Sequence, residues 1–136
     1  MCNCITAIDV VEIKLLMIKS TMALYTGDTP YEEFSTDKGK EVLGKVNELL
    51  KQLGLSSFTE LFQLVEKELG VEINIEEFMP KRVFVQPLVG EYDSCIAYTE
   101  ANDLSVFISS KQYVSKFTTT LVVRENGKWL IDSLVS

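Results

Sequence analysis

The chain is predicted to be an α+β protein, with N-terminal helices packed on a curved antiparallel sheet of four or five strands. Through the first half, apolar residues recur every three or four positions, the period of an amphipathic helix. From Pro80 onward the period changes to alternation. Near the end, two β-rich runs flank Asn126-Gly127, the dipeptide that most readily supplies the two positive-φ residues of a type I′ turn. Helices and strands segregated in this way exclude the alternating α/β pattern. At 136 residues the chain is the size of one domain, 1–136, able to form a core without disulfides or metal.

The first helix is expected over Ile5 to Tyr25. Ile5, Ile8, Val11, Leu15, Ile18, Met22 and Tyr25 form its stripe, and Val10, Leu16, Met17, Ala23 and Leu24 widen it. So broad an apolar surface fits a helix lying in the concavity of a curved sheet, and equally a helix in a bundle. Gly27-Asp28 followed by Pro30 ends it. Tyr31 and Phe34 then belong to a loop that tucks back on the body. A second helix is expected from Lys38 to Leu53, capped by Asp37 and closed by Gly54, burying Val42, Val46, Leu49, Leu50 and Leu53. Ser57-Phe58-Thr59-Glu60 is a capping box that opens a third helix, running to Leu69 with Gly70 just after.

The expected strands are Lys81 to Val89, Tyr92 to Ala101, Leu104 to Ser109, Tyr113 to Val123 and Lys128 to Val135. Pro87 confines the first of these to an edge or a bulge, because proline has no N–H to donate. The Asn126-Gly127 turn sets Arg124 opposite Trp129, Val123 opposite Leu130 and Val122 opposite Ile131. The face with Phe117, Thr119, Leu121, Val123, Leu130 and Leu134 is then the more apolar one, and is expected to be the dry side. Val122, Trp129 and Ile131 fall on the other face, which the first helix would leave open for an interface. Trp129 is expected to pack on the sheet, with a cation–π contact if Arg124 lies across from it.

Composition narrows the function. With 46% hydrophobic and 24% charged residues the chain is globular in type. A net charge of −7, with no basic run longer than Lys81-Arg82, argues against nucleic acid as a partner. The absence of histidine removes the commonest general base and zinc ligand, and with them every Ser-His or Cys-His dyad. Cys2, Cys4 and Cys95 do not form a disulfide framework, so a reducing, cytoplasmic setting is expected. Cys2 and Cys4 have only one further thiol to join them, so no metal and no cofactor is expected. No signal peptide is legible in the opening residues, and charges interrupt every apolar run too early for a membrane span.

The groups suited to chemistry are Tyr92, Asp93, Tyr98 and Asp132. A carboxylate in apolar surroundings beside a tyrosine donor could abstract a proton next to a carbonyl. Asp132 shares a face with Leu121 and Leu130 on the expected hairpin, which makes it the first candidate base. The competing reading sets it at the rim of the sheet, solvated or paired with a lysine.

Two segments carry a family resemblance. Ala23-Leu24-Tyr25-Thr26-Gly27-Asp28 resembles the A-L-x-x-G-D that ends the first helix of the nuclear transport factor 2-like superfamily, which includes ketosteroid isomerase and the polyketide cyclases. Leu121 to Asp132 is similar to that superfamily's closing hairpin. Together they cover about a seventh of the chain. The resemblance implies a cone-shaped, cystatin-like roll around the first helix, with a pocket at its open end suited to a small apolar ligand. Tyr25, Tyr92, Tyr98, Leu121 and Leu130 would line it. The catalytic residues do not carry over: Ser20 stands where the isomerases place a tyrosine, and the histidine of the dehydratases is absent.

A non-catalytic binding or assembly module is therefore the leading expectation, forming a homodimer through the outer face of the sheet. A small isomerase or cyclase using Asp132 or Asp93 as base and Tyr98 as donor is the alternative. A regulator bound to a protein partner is the third possibility, resting on small size and acidity.

Overall fold

The computed structural model describes residues 5–27, 29–88, 90 and 93–135. Cys2, Cys4, Asp28, Val89 and Tyr92, together with the side chain of Val42, lie outside the described residues. Helix α1 spans Ala7–Thr26, α2 Gly39–Gln52, α3 Phe58–Leu69 and α4 Leu104–Ser110. Strands β1 (Arg82–Pro87), β2 (Ser94–Asn102), β3 (Ser115–Glu125) and β4 (Lys128–Val135) form one open antiparallel sheet in the order β1-β2-β3-β4. Single 3₁₀ turns at Tyr31–Phe34 and Ile75–Phe78 precede α2 and β1.

Side-chain caps set the ends of α1 and α3. Thr6 and Asp9 form a capping box at the start of α1, and Gly27, at φ +72°, closes it in the left-handed conformation. Ser57 accepts from the Glu60 amide to open α3, which ends at Gly70 as expected. The Glu60 carboxylate reaches one residue further back, accepting from the amide and hydroxyl of Ser56 at 2.8 and 2.9 Å. Helix α2 departs from expectation at its start. Asp37 makes a surface ion pair with Lys40, and it is the Thr36 hydroxyl that accepts from the Gly39 amide at 3.1 Å.

Gly39 is required there for a close approach. A Cβ at that position would stand 2.5 Å from the Ile131 carbonyl oxygen and 2.9 Å from the Ser35 Cβ. The start of α2 is thereby stitched to β4, with the Thr36 amide donating to the Ile131 carbonyl at 2.9 Å.

The expected strand from Leu104 to Ser109 is a helix, α4. The Asp103 carboxylate accepts from the amides of Ser105 and Val106, which turns the chain into a helix directly after β2. Phe107 is then buried, stacked on Tyr113 at 5.0 Å and edge-on to Phe78 at 5.4 Å. The sheet accordingly has four strands.

The closing hairpin has the expected register, with Arg124 across from Trp129, Val123 from Leu130 and Val122 from Ile131. Asn126 and Gly127 both have positive φ, 54° and 76°. Beyond Ile131 the register slips. Leu121 pairs with Ser133, so Asp132 is the extra residue of a β-bulge. The isolated edge position of β1 agrees with Pro87 lying in it.

The faces of α1 and of the sheet are assigned the other way round from the expectation. The core joins Ile13, Leu16 and Met17 of α1 to Val83, Cys95, Ala97, Val122, Trp129 and Ile131 of the sheet. Val122, Trp129 and Ile131 are therefore interior residues, not an outer interface. Phe117 and Leu134 are exposed, and Leu121, Val123 and Leu130 are only partly buried. On α1 the expected stripe of Ile8, Val11, Leu15, Ile18 and Met22 points outward, from 71% exposed at Ile8 to 39% at Met22. The reason is polar. Asp9 lies on the buried side because Trp129 and Arg124 satisfy its carboxylate there. Ser20 is tolerated on the same side because its hydroxyl already donates to the Met17 carbonyl of its own helix, and Ile13, between them, is fully enclosed.

Candidate functional site

Among the described residues the most connected buried polar side chain is Asp9, held at the start of α1 by its own capping box. Its Oδ2 accepts from the amide and hydroxyl of Thr6, each at 2.9 Å. Its Oδ1 accepts from Trp129 Nε1 and Arg124 Nη1, each at 3.1 Å. Arg124 Nε also donates to Asp93 Oδ1 at 2.9 Å, and its guanidinium lies 5.0 Å from the centre of the Trp129 ring. The hydrogen bond from the Thr6 amide, more than any other contact, holds the Asp9 carboxyl below the usual aspartate range, against the opposing effect of burial. Cys95, fully buried nearby, has its thiol pushed up by burial and by the Asp9 charge.

This cluster is built to join elements. A catalytic base needs a lone pair free to take a proton, whereas both oxygens of Asp9 already accept hydrogen bonds and favour the ionised form. Helix α1 is tied to the hairpin through it.

The sequence-derived candidates fall in separate neighbourhoods. The Asp132 carboxylate accepts from Thr36 Oγ1 at 2.9 Å and stands 3.8 Å from Lys38 Nζ, the lysine-paired rim arrangement. Asp93 lies at the start of β2 in the ion pair with Arg124. Tyr98 lies on the outer face of the sheet, where its hydroxyl donates to Gln86 at 3.0 Å. No base–donor pair is formed from these three. Tyr25 meets Phe58 and Phe62 edge-on at 5.3 and 5.5 Å, and burial raises its phenol above the usual range. It lines a cleft of about 220 Å³ between the end of α1 and the start of α3, away from Leu121 and Leu130. Tyr98, Leu121 and Leu130 line no cavity with it: Ile96 and Tyr98 of β2 share the outer face with Leu121, Val123 and Leu130.

The space between α1 and the sheet, where a ligand pocket was expected, is closed by the core side chains. The concavities lie outside. One of about 600 Å³ is a surface depression along Glu72–Ile75. Two grooves flank the exposed ridge of α1. The first, about 270 Å³, runs between the ridge, Phe34 and the hairpin tip, with Leu15, Leu16 and Trp129 in its wall. The second, about 370 Å³, lies on the other flank, between Lys14, Ile18 and residues 80–84. Among the described residues no group of three acidic or thiol side chains could hold a metal ion, and no helix is long and apolar enough to cross a membrane.

No family model, no curated protein and no solved structure matches the chain.

What sequence reasoning missed is the exposed ridge between two grooves. Its signal was legible, since residues 8, 11, 15, 18 and 22 follow a strict three–four spacing.

Proposed function

We propose that the protein is a non-catalytic binding or assembly module that works through its outer apolar surface. The observation that carries this reading is the closed interior: Ile13, Leu16 and Met17 fill the space between α1 and the sheet where the resemblance implies a pocket. Meanwhile large apolar side chains stand outside, on α1 and on the far face of the sheet, where Phe84 and Phe117 are about half exposed. The nuclear transport factor 2-like frame is retained within this proposal. It is supported by the element order and by α1 lying across one face of a meander that ends in the Asn126-Gly127 hairpin.

Homodimerisation is part of the proposal. The sheet face expected to mediate it loses Val122, Trp129 and Ile131 to the core. What it retains is partly covered by its own neighbours: Phe84 packs on Phe117 at 6.2 Å, and Arg82 lies 5.8 Å from the Phe84 ring centre. Sedimentation equilibrium tests the reading directly. A dimer at micromolar concentration is the expected result. A strict monomer that retains no partner from a lysate of its source would refute it.

A further inference from the structure

We infer that a second copy of this chain covers the α1 ridge, with the two α1 helices antiparallel and crossing near Leu15. This rests on the assembly reading above and names its surface and partner.

The ridge residues Ile8, Val11, Leu15, Ile18 and Met22 repeat as the two apolar positions of a heptad, and all are exposed. A ridge of that spacing is complementary to a copy of itself, as a two-fold interface demands. Antiparallel pairing centred on Leu15 sets Leu15 against the partner's Leu15 and Ile8 against the partner's Met22. Val11 meets the partner's Ile18 to within one residue's rise, about 1.5 Å.

The charges beside the ridge choose the direction. Glu12 and Lys19 flank it on one side and Lys14 on the other, and all three are exposed. Antiparallel packing on the first flank brings Glu12 beside the partner's Lys19, twice by symmetry. Parallel packing would bring Lys14 beside the partner's Lys19, which repels. The favoured flank is also the one with the groove of about 270 Å³ walled by Leu15, Leu16, Phe34 and Trp129. Each ridge therefore seats in its partner's groove; on the other flank the same register sets Lys14 near the partner's Lys14, one like-charge contact against two Glu12–Lys19 pairs. The sheet face offers no comparable charge pairing, since its Arg82 and Glu100 already bond each other at 2.7 Å.

The test is sedimentation equilibrium from about 1 to 100 µM on the wild-type chain and five variants, with circular dichroism to verify folding. Leu15→Glu is expected to weaken the dimer roughly thirtyfold or more, because Leu15 meets itself at the axis. Glu12→Lys and Lys19→Glu each weaken it roughly fivefold, and the double swap returns it to within about twofold of wild type. That restoration does not depend on any core side chain, so it stands even if Leu15→Glu unfolds. A dimer indifferent to Leu15→Glu and to the charge swaps, but broken by Leu121→Glu on the sheet face, overturns the α1 seam and leaves the assembly reading standing. A wild-type monomer throughout overturns the α1 seam and the homodimer with it; the wider binding reading falls only if that monomer also retains no partner from a lysate of its source.

Discussion

Replacing Asp9 by alanine should cost far more than a surface aspartate ordinarily does. The substitution removes four hydrogen bonds, and their consequences differ. The Thr6 amide and hydroxyl lose a capping partner, worth about 1 kcal/mol. Trp129 is 3% exposed, so its indole N–H is left buried without an acceptor, at about 1–3 kcal/mol. Arg124 keeps Asp93 and access to water, and adds little. The sum is about 3 kcal/mol, or roughly 10 °C in Tm for a domain of this size. Asp9→Asn should lose about half of that, because one amide face presents N–H groups to donors that need an acceptor. The Asp9 pKa is lowered in the folded state, so its contribution is complete above the unfolded value near 3.8 and disappears as pH falls through the folded value. The wild-type advantage over Asp9→Ala should therefore shrink below about pH 4. Urea denaturation followed by the fluorescence of the single tryptophan measures all of this. An Asp9→Ala protein within about 0.5 kcal/mol of wild type at pH 7 would refute the reasoning, and so would an Asp93→Ala control that costs as much.

Other substitutions probe other parts of the fold. Gly39→Ala should destabilise by about 2 kcal/mol, since the new Cβ must push apart α2 and the β4 backbone; thermal melting checks it. Ile13→Ala should lose about 2–5 kcal/mol from a fully enclosed site, whereas Ile8→Ala, on the exposed ridge, should leave monomer stability almost unchanged. Ser35→Ala should be neutral or slightly stabilising in denaturation, because its buried hydroxyl has no hydrogen-bond partner among the described residues. Cys95 should resist a thiol reagent at pH 8 until urea unfolds the chain, its sulfur being inaccessible and its pKa raised; peptide mapping of the labelled protein reads this out.

Much of the architecture is legible in the sequence. The bounds of α3 and β4 and the register of the last hairpin follow from a serine cap, a closing glycine and Asn126-Gly127, all local signals that depend on few neighbours. Where the reading erred, a tertiary partner made the decision. Asp103 turned Leu104–Ser110 helical, and what holds that helix is Phe107 meeting Phe78 and Tyr113, residues far apart or separated by a turn. Thr36 displaced Asp37 as the cap of α2 because the Ile131 carbonyl fixes its backbone from across the molecule. The candidate base Asp132 was misplaced by a bulge, which a strict two-residue alternation cannot register.

The inversion of faces has a deeper cause. Both sides of the hairpin carry apolar residues, and α1 is apolar on two sides, so hydrophobic burial alone gains nearly as much from either pairing. Only one pairing also places Asp9 against Trp129 Nε1 and Arg124 Nη1. In the opposite docking the carboxylate would face solvent, and the indole N–H would need some other partner. A few directional bonds thus choose between two docking arrangements that greasy contact leaves almost degenerate. The same choice strands Ile8, Val11, Leu15, Ile18 and Met22 outside. An apolar ridge left over from a polar decision is costly in an isolated monomer, which is why the proposed dimer places a second copy of the same ridge, with matching spacing and charges, against it.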